Sequence, residues 1–125
     1  MTKEIISTNK APAAIGPYVQ AIKTGGFLFL SGQLGIDNKT GEIPEHVEDQ
    51  AHNAFKNIEA ILHETGISFN NIIKTTVFLT EMSDFANINK IYGEYFKDSY
   101  PARSCVAVKA LPKDAKFEIE CIAAL

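Results

Sequence analysis

The sequence lacks the features that mark several broad classes of protein. Its net charge is −3 and its isoelectric point is about 5.6, which argues against nucleic-acid binding because contacts to phosphates need a basic surface. No apolar run is long enough to cross a bilayer, and the first residues, MTKEIISTNK, lack the apolar region of a signal peptide. We therefore expect a cytoplasmic protein with no membrane or nucleic-acid partner.

Cysteine is also scarce. Cys105 and Cys121 are the only two, and both fall in segments that are typical of strands. A chain of 125 residues can bury a sizeable core without disulfides or a structural metal, so we interpret both thiols as free and reduced. With 46% hydrophobic and 22% charged residues, the composition indicates one globular domain over residues 1–125.

Apolar periodicity predicts the element order β-β-β-α-β-α-β-β. Apolar residues recur at helical spacing from Val47 to Thr65 and again from Phe85 to Phe96. The predicted strands are KEII, then VQAIK and FLFLSGQ on either side of a turn at TGG, then IIKTTVFL, RSCVAVKAL and FEIECIAAL. The loop LPKDAK is short enough to join the last two strands as an antiparallel hairpin.

This arrangement leaves one face of the predicted sheet without a cover. Two helices can cover one face of a mixed, mainly antiparallel sheet. The strands nevertheless carry apolar side chains on both faces, as in the run from Phe27 to Leu30. Self-association with closed symmetry would cover the second face. The alternative is a monomer whose open face is shielded by long side chains such as Lys74 and Lys109.

Charged residues in the last two strands are the best candidates for chemistry. Strand alternation places Arg103 and Cys105 on one face, and it places Glu118 and Glu120 together on one face of the final strand. The arginine fork matches a carboxylate, and a partly desolvated carboxylate suits general acid and base catalysis. A structural ion pair is the other interpretation. In a simple hairpin Glu118 would face Val108, roughly 17 Å along the strand from Arg103, so contact would need another register or a neighbouring subunit.

Other kinds of site have weaker support. His52 and His63 would lie about 16 Å apart along the predicted helix and could not share a metal ion, so we interpret them as surface residues. Cys105 has no histidine near it in the sequence, which favours a packing role over a nucleophile. Lys74 is expected to extend along its strand rather than to form a Schiff base. The segment SGQLG lacks the lysine of a phosphate-binding loop.

Four segments closely resemble the RidA family, which is also called the YjgF family. They are APAAIGPYVQA, FLFLSGQLGID, KTTVFLTEMSDFANINKIYGEYF and PARSCVAVKALPKDAKFEIECIA. The similarity covers essentially the whole chain in order, and the combination of PARS with LPKDAKFEIE is specific. Asn38 is a small departure, because many members of the family carry proline there.

The resemblance implies an α+β, chorismate-mutase-like fold that assembles as a homotrimer, with active sites in the clefts between subunits. It implies hydrolysis of reactive 2-imino acids and their enamine tautomers, such as 2-aminoacrylate and 2-iminobutanoate, to 2-oxo acids and ammonia. Neither a metal nor an organic cofactor is expected. Two alternatives stay open: a regulatory module that binds a small carboxylate, and a ribonuclease or translation inhibitor, a label that some relatives carry.

The same resemblance implies the site residues. The carboxylate-binding arginine falls on Arg103, the water-handling glutamate on Glu118, and a cysteine that contacts substrate through its backbone on Cys105. Tyr18 would close the pocket or relay a proton. The remaining pocket positions are Ser31, Gly32 and Asn89. Only the resemblance distinguishes Glu118 from Glu120.

Overall fold

The computed structural model describes residues 2–125 and confirms the predicted order of elements. The strands are β1 (Glu4–Ile6), β2 (Ala21–Thr24), β3 (Phe27–Leu34), β4 (Ile72–Leu79), β5 (Ala102–Ala107) and β6 (Phe117–Ala124). The helices are α1 (Val47–Glu64) and α2 (Phe85–Glu94), and single 3₁₀ turns lie at Phe69–Asn71 and Met82–Asp84. Pro112–Asp114 also form a turn, but its backbone is not helical at Lys113. Neither helix has the length and apolar character needed to cross a bilayer, over residues 2–125.

All six strands form one sheet in the order β1-β2-β3-β6-β4-β5. Neighbouring strands are antiparallel except for the parallel pair β4 and β5, so the sheet is mixed and mainly antiparallel, as predicted. The predicted hairpin of the last two strands is wrong, because β4 lies between β5 and β6 and pairs with both. The unit β4-α2-β5 is a helical crossover, which makes its two strands parallel neighbours and leaves the other edge of β4 to β6.

The core lies between the two helices and one face of the sheet. Alternate residues of β6 show this most clearly, since Phe117, Ile119 and Cys121 are buried while Glu118 and Glu120 are partly or fully exposed. Phe55 of α1 is completely buried at the centre of an aromatic group that includes residues of α2. Both helices therefore cover the same face of the sheet.

The opposite face, here called the open face, carries large apolar side chains that are left partly exposed within residues 2–125. Phe27, Phe29, Ile73 and Val106 are each 40–45% exposed, although their side chains are large and apolar. Lys74 lies beside them, and its Nζ donates to Oγ of Ser104 at 3.2 Å. The predicted excess of apolar surface is thus present, and Lys74 does not cover it.

Gly35, directly after β3, sets how closely α1 approaches the sheet. A Cβ at this position would overlap the carbonyl oxygen and Cα of Gln50. The segment cannot move away freely, because Nδ2 of Asn57 donates to the carbonyls of Leu34 and Ile36 on either side of it.

We predict that Gly35→Ala lowers the free energy of unfolding by about 3 kcal/mol, which is the upper end of the usual cost of overpacking. Urea denaturation measures this change. Gly93→Ala is the matched control, because a Cβ at Gly93 meets no atom within 4 Å. Equal midpoints for wild type and Gly35→Ala would contradict the prediction.

Candidate functional site

Six of the seven predicted site residues lie in two separate depressions of the chain, and Cys105 lies in neither. The first, here called the arginine cleft, has a volume of about 430 Å³ and is lined by Asn89, Tyr92, Gly93, Tyr100, Pro101 and Arg103. The second, here called the glutamate cavity, has a volume of about 840 Å³. Tyr18, Ser31, Gly32 and Glu118 line the glutamate cavity, together with Glu120 and Lys113. The structure therefore brings four predicted residues together in one place and two in another.

In the arginine cleft, the guanidinium of Arg103 is held by a side chain that leaves most of its donors free. Nη1 of Arg103 donates to Oδ1 of Asn89 at 2.9 Å. Since a guanidinium has five N–H groups, this single bond fixes its position without using up its capacity to bind an anion. Arg103 is partly buried at the second residue of β5, so a carboxylate bound there would be partly shielded from water.

The guanidinium also lies on two aromatic rings of α2. Its Cζ is 4.7 Å from the ring centroid of Tyr92 and 5.4 Å from that of Phe85, which is within the range of cation–π attraction. The Tyr92 hydroxyl in turn makes a 2.7 Å hydrogen bond with the hydroxyl of the buried Thr75. Sequence reasoning missed this support, although Phe85, Asn89 and Tyr92 have the i, i+4, i+7 spacing of one helix face.

In the glutamate cavity, an irregularity of β3 brings the backbone to the Glu118 carboxylate. Leu30 pairs with Cys121 and Gln33 with Ile119, so β3 has one extra residue at Ser31-Gly32. A bulge of this kind redirects side chains next to functional sites. A Cβ at Gly32 would lie 2.9 Å from Oε2 of Glu118, so glycine leaves the space that the carboxylate occupies.

Ser31 fixes this bulge to the preceding loop. Its N–H donates to the carbonyl of Gln20 at 2.9 Å, and its Oγ donates to the carbonyl of Val19 at 2.6 Å. The buried amide of Gln20 also bonds to the backbone of residues 8–12. These bonds hold the segment that carries Tyr18, whose side chain is 52% exposed at the edge of the cavity.

Burial raises the pKa of the Glu118 carboxyl above its ordinary value, and the negative charge of Glu120 raises it further. Glu118 is partly buried, whereas Glu120 is exposed. A carboxyl whose pKa is moved toward neutrality is better suited to taking and returning a proton than an ordinary glutamate is. The structure thus separates two residues that the sequence alone left equivalent.

Cys105 lies on the helix-covered face of β5 and packs against the core. Burial raises the pKa of its thiol, and the nearby charge of Arg103 lowers the pKa only in part. A raised pKa keeps the thiol protonated and therefore weakly nucleophilic. This environment agrees with the predicted packing role of the side chain.

The histidines give no support to a metal site. No group of three or more histidine, cysteine, aspartate or glutamate side chains has the arrangement of a metal site within residues 2–125. The interpretation as a surface residue is confirmed for His63, which is exposed, whereas His52 is only partly exposed. Its ring is partly buried, and Nδ1 makes a 2.6 Å hydrogen bond with the hydroxyl of Tyr95, because α1 and α2 pack against each other at this point.

Arg103 and Glu118 cannot act together within one chain. Arg103 is paired with Thr75 and Glu118 with Phe78, on opposite edges of β4. Three residues along the strand and two strand spacings across it separate their Cα atoms by about 14 Å. Their side chains also point to opposite faces of the sheet, since Arg103 contacts the rings of α2 and Glu118 alternates with core residues.

Comparisons with known proteins find relatives over nearly the whole chain. A family model described as Endoribonuclease L-PSP matches residues 8–125. Reactive Intermediate Deaminase A, chloroplastic, of Arabidopsis thaliana is 50% identical over 124 residues, which cover 98% of this chain and 66% of that protein. The crystal structure of Escherichia coli TdcF with bound serine has a TM-score of 0.94 and 50% identity, and 98% of each chain is covered. The structure of YyfA of the conserved Rid protein family from Yersinia pestis has a TM-score of 0.97 and 46% identity, covering 99% of this chain and all of that one.

Proposed function

Because the chain belongs to the RidA (YjgF) family, we propose that it hydrolyses reactive 2-imino acids and their enamine tautomers to 2-oxo acids and ammonia. Relatives that carry the name reactive intermediate deaminase support this proposal. The single observation that carries it is the environment of Arg103, whose guanidinium packs on aromatic rings and donates a hydrogen bond to the neutral side-chain amide of Asn89. A cation held in this way is suited to the carboxylate of a small acid.

In the proposed mechanism the arginine cleft and the glutamate cavity each have one task. Arg103 binds the substrate carboxylate and thereby fixes C2. Glu118 holds a water molecule near C2 and takes its proton as the oxygen attacks. Glu118 then returns that proton to the nitrogen. As the C2–N bond breaks and ammonia leaves, the new hydroxyl group on C2 gives its proton back to the Glu118 carboxylate, and C2 becomes the carbonyl carbon of the 2-oxo acid. A protonated imine is already electrophilic, so these steps need no metal or organic cofactor.

We further propose that each complete site combines the arginine cleft of one copy with the glutamate cavity of a neighbouring copy in a homotrimer. The separation of Arg103 from Glu118 within the chain supports this proposal, because a second copy would supply the residue that each site lacks. The open face offers the apolar surface for such an assembly, with Phe27, Phe29 and Val106 exposed. Docking this face against a neighbour would bury that surface and enclose the glutamate cavity.

The reaction is tested by coupling the protein to a source of imine. Threonine dehydratase acting on serine or threonine generates the imine, and semicarbazide traps whatever is not hydrolysed first. We expect the protein to divert the imine to the 2-oxo acid and to reduce the semicarbazone. An unchanged yield of semicarbazone would refute the proposed activity.

We predict that two inactive variants restore activity when they are assembled together. In a random mixture of Arg103→Ala and Glu118→Gln chains, a site with both native residues arises with a frequency of about one half times one half, or roughly a quarter. Co-refolding of equal amounts should therefore give about a quarter of the wild-type rate. If both residues of a site came from the same chain, the mixture would stay as inactive as its components.

A ribonuclease is the second candidate, and the description of the matching family model favours it. The net charge of −3 counts against it. RNA cleavage that stays with the protein through a final sizing column and is lost in Arg103→Ala would support this candidate. A regulatory module that binds a small carboxylate at Arg103 is distinguished from both by ligand binding without turnover.

A further inference from the structure

The segment between β5 and β6 contains an unusual turn. Lys113 and Asp114 both have φ of 57° and are the two residues outside glycine with positive φ within residues 2–125. The N–H of Ala115 donates to the carbonyl of Pro112 at 3.2 Å, which closes the turn across these two residues. A positive φ at both central positions is the mark of a type I′ turn.

The sequence is a poor match to this turn. Type I′ turns strongly favour Asn-Gly, because glycine has no Cβ and asparagine tolerates the left-handed region. Lysine has neither advantage, since its Cβ crowds the backbone and it has no short polar group to bond locally. Such strain persists where the surrounding structure imposes it, and it is concentrated at functional sites. The turn therefore calls for a reason that lies outside its own backbone.

The two strained residues face different surroundings. Lys113 lines the glutamate cavity together with Glu118 and Glu120. Asp114 lines another depression, whose lining also includes His46, Glu48, Lys109 and Lys116. The turn thus places Lys113, whose side chain ends in a primary ammonium, among the residues that line a cavity whose two glutamates would otherwise repel an anion. Asp114 shares the strain but has no part in the cavity.

We propose that Lys113 is a cationic binding residue of the glutamate cavity, which attracts small 2-imino and 2-oxo acids, and that the strained turn persists because it holds the ammonium there. The identity of these anions rests on the proposed function. Arg103 of a neighbouring copy fixes the carboxylate, whereas Lys113 lowers the electrostatic cost of bringing that carboxylate near Glu118 and Glu120. Its contribution is therefore to affinity and to KM rather than to the bond-breaking step.

The test compares four variants of the full-length protein. Lys113→Gly and Asp114→Gly both remove the strain, so each should raise Tm by about 3 to 6 °C. Calorimetric titration with pyruvate should give a Kd about 10-fold weaker for Lys113→Gly and for Lys113→Asn. Two variants should bind pyruvate with a Kd within about twofold of the wild-type value. They are Asp114→Gly, which is the matched control, and Lys113→Arg, which keeps the charge. KM for the imine should follow Kd, while kcat changes little.

The dependence of the pyruvate Kd on ionic strength is an independent measurement, which a purely structural role of Lys113 would leave unchanged. Added salt screens the ammonium over about 8 Å at 0.15 M, so the pyruvate Kd of the wild type should weaken more with sodium chloride than that of Lys113→Asn. Unchanged pyruvate affinity in both Lys113→Gly and Lys113→Asn would overturn the proposal, as would a wild type that does not bind pyruvate. A wild type that binds pyruvate through Lys113 but leaves the semicarbazone yield unchanged would refute the deaminase reaction and support this binding role.

Discussion

Arg103→Ala is expected to reduce kcat/KM for 2-imino acids by about 1,000-fold, the largest effect of any single change in the arginine cleft. The substitution would remove the proposed bidentate, charge-assisted contact to the substrate carboxylate, and C2 would no longer be held in place for the attacking water. Arg103→Lys keeps the charge but loses the fork, so its loss should be intermediate. Steady-state kinetics with enzymatically generated imine measure both variants.

We expect Arg103→Ala to change the stability of the fold little. The substitution removes only a hydrogen bond to the exposed Asn89 and contacts with two aromatic rings. An unchanged Tm for Arg103→Ala would assign the loss of activity to substrate binding. Arg103 is the only arginine in the sequence, so an arginine-selective dicarbonyl reagent should inactivate the protein by modifying one residue, and pyruvate should protect it. Full activity of Arg103→Ala or of the modified protein would contradict the proposed role.

Glu118→Gln is expected to lower kcat by about 1,000-fold while KM changes much less, because the amide cannot take a proton from water. The matched variant is Glu120→Gln, which changes a carboxylate of the same cavity two residues away. Glu120 is the more exposed of the two, so we expect Glu120→Gln to retain most of the wild-type kcat. The reverse result, with Glu120→Gln inactive and Glu118→Gln active, would assign the proton transfer to Glu120.

The pH profile should carry the electrostatic signature of the same pair. Because burial and the charge of Glu120 both raise the pKa of Glu118, the acid limb of kcat/KM should lie above the pH at which an ordinary glutamate titrates. Activity should fall as the pH drops through this limb, since the base form of Glu118 is then lost. Glu120→Gln removes the repelling charge, so the limb should move to lower pH. A limb that does not move would show that Glu118 is not the titrating group.

The sequence was most informative where a signal is local. Helical spacing predicted α1 to within one residue, from Val47 to its end at Glu64, and β-branched residues predicted Ile72–Leu79 without error. Period-two alternation correctly separated Glu118 from Phe117 and Ile119. These predictions succeed because the side-chain direction of a strand or helix follows from the repeat of the backbone itself.

The sequence was wrong or silent where the answer depends on contacts between distant segments. The hairpin prediction failed because proximity in sequence does not decide which strand edges are free, and β4 took the place between β5 and β6. The rings of Tyr92 and Phe85, on which Arg103 packs, are 11 and 18 residues from it in the sequence. They contact Arg103 because α2, which connects β4 to β5, packs over these two strands.

By itself, the sequence determined the element order, the excess of apolar surface on the sheet and the residue types from which a carboxylate site can be made. Only the tertiary structure decided that Arg103 and Glu118 lie on opposite faces of the sheet, that a bulge at Gly32 admits the glutamate carboxylate, and that a strained turn brings Lys113 to the same cavity. The reason is physical. Periodicity fixes the face on which a side chain lies, whereas strand pairing, bulges and turn geometry fix which faces meet, and these depend on the packing of the whole chain.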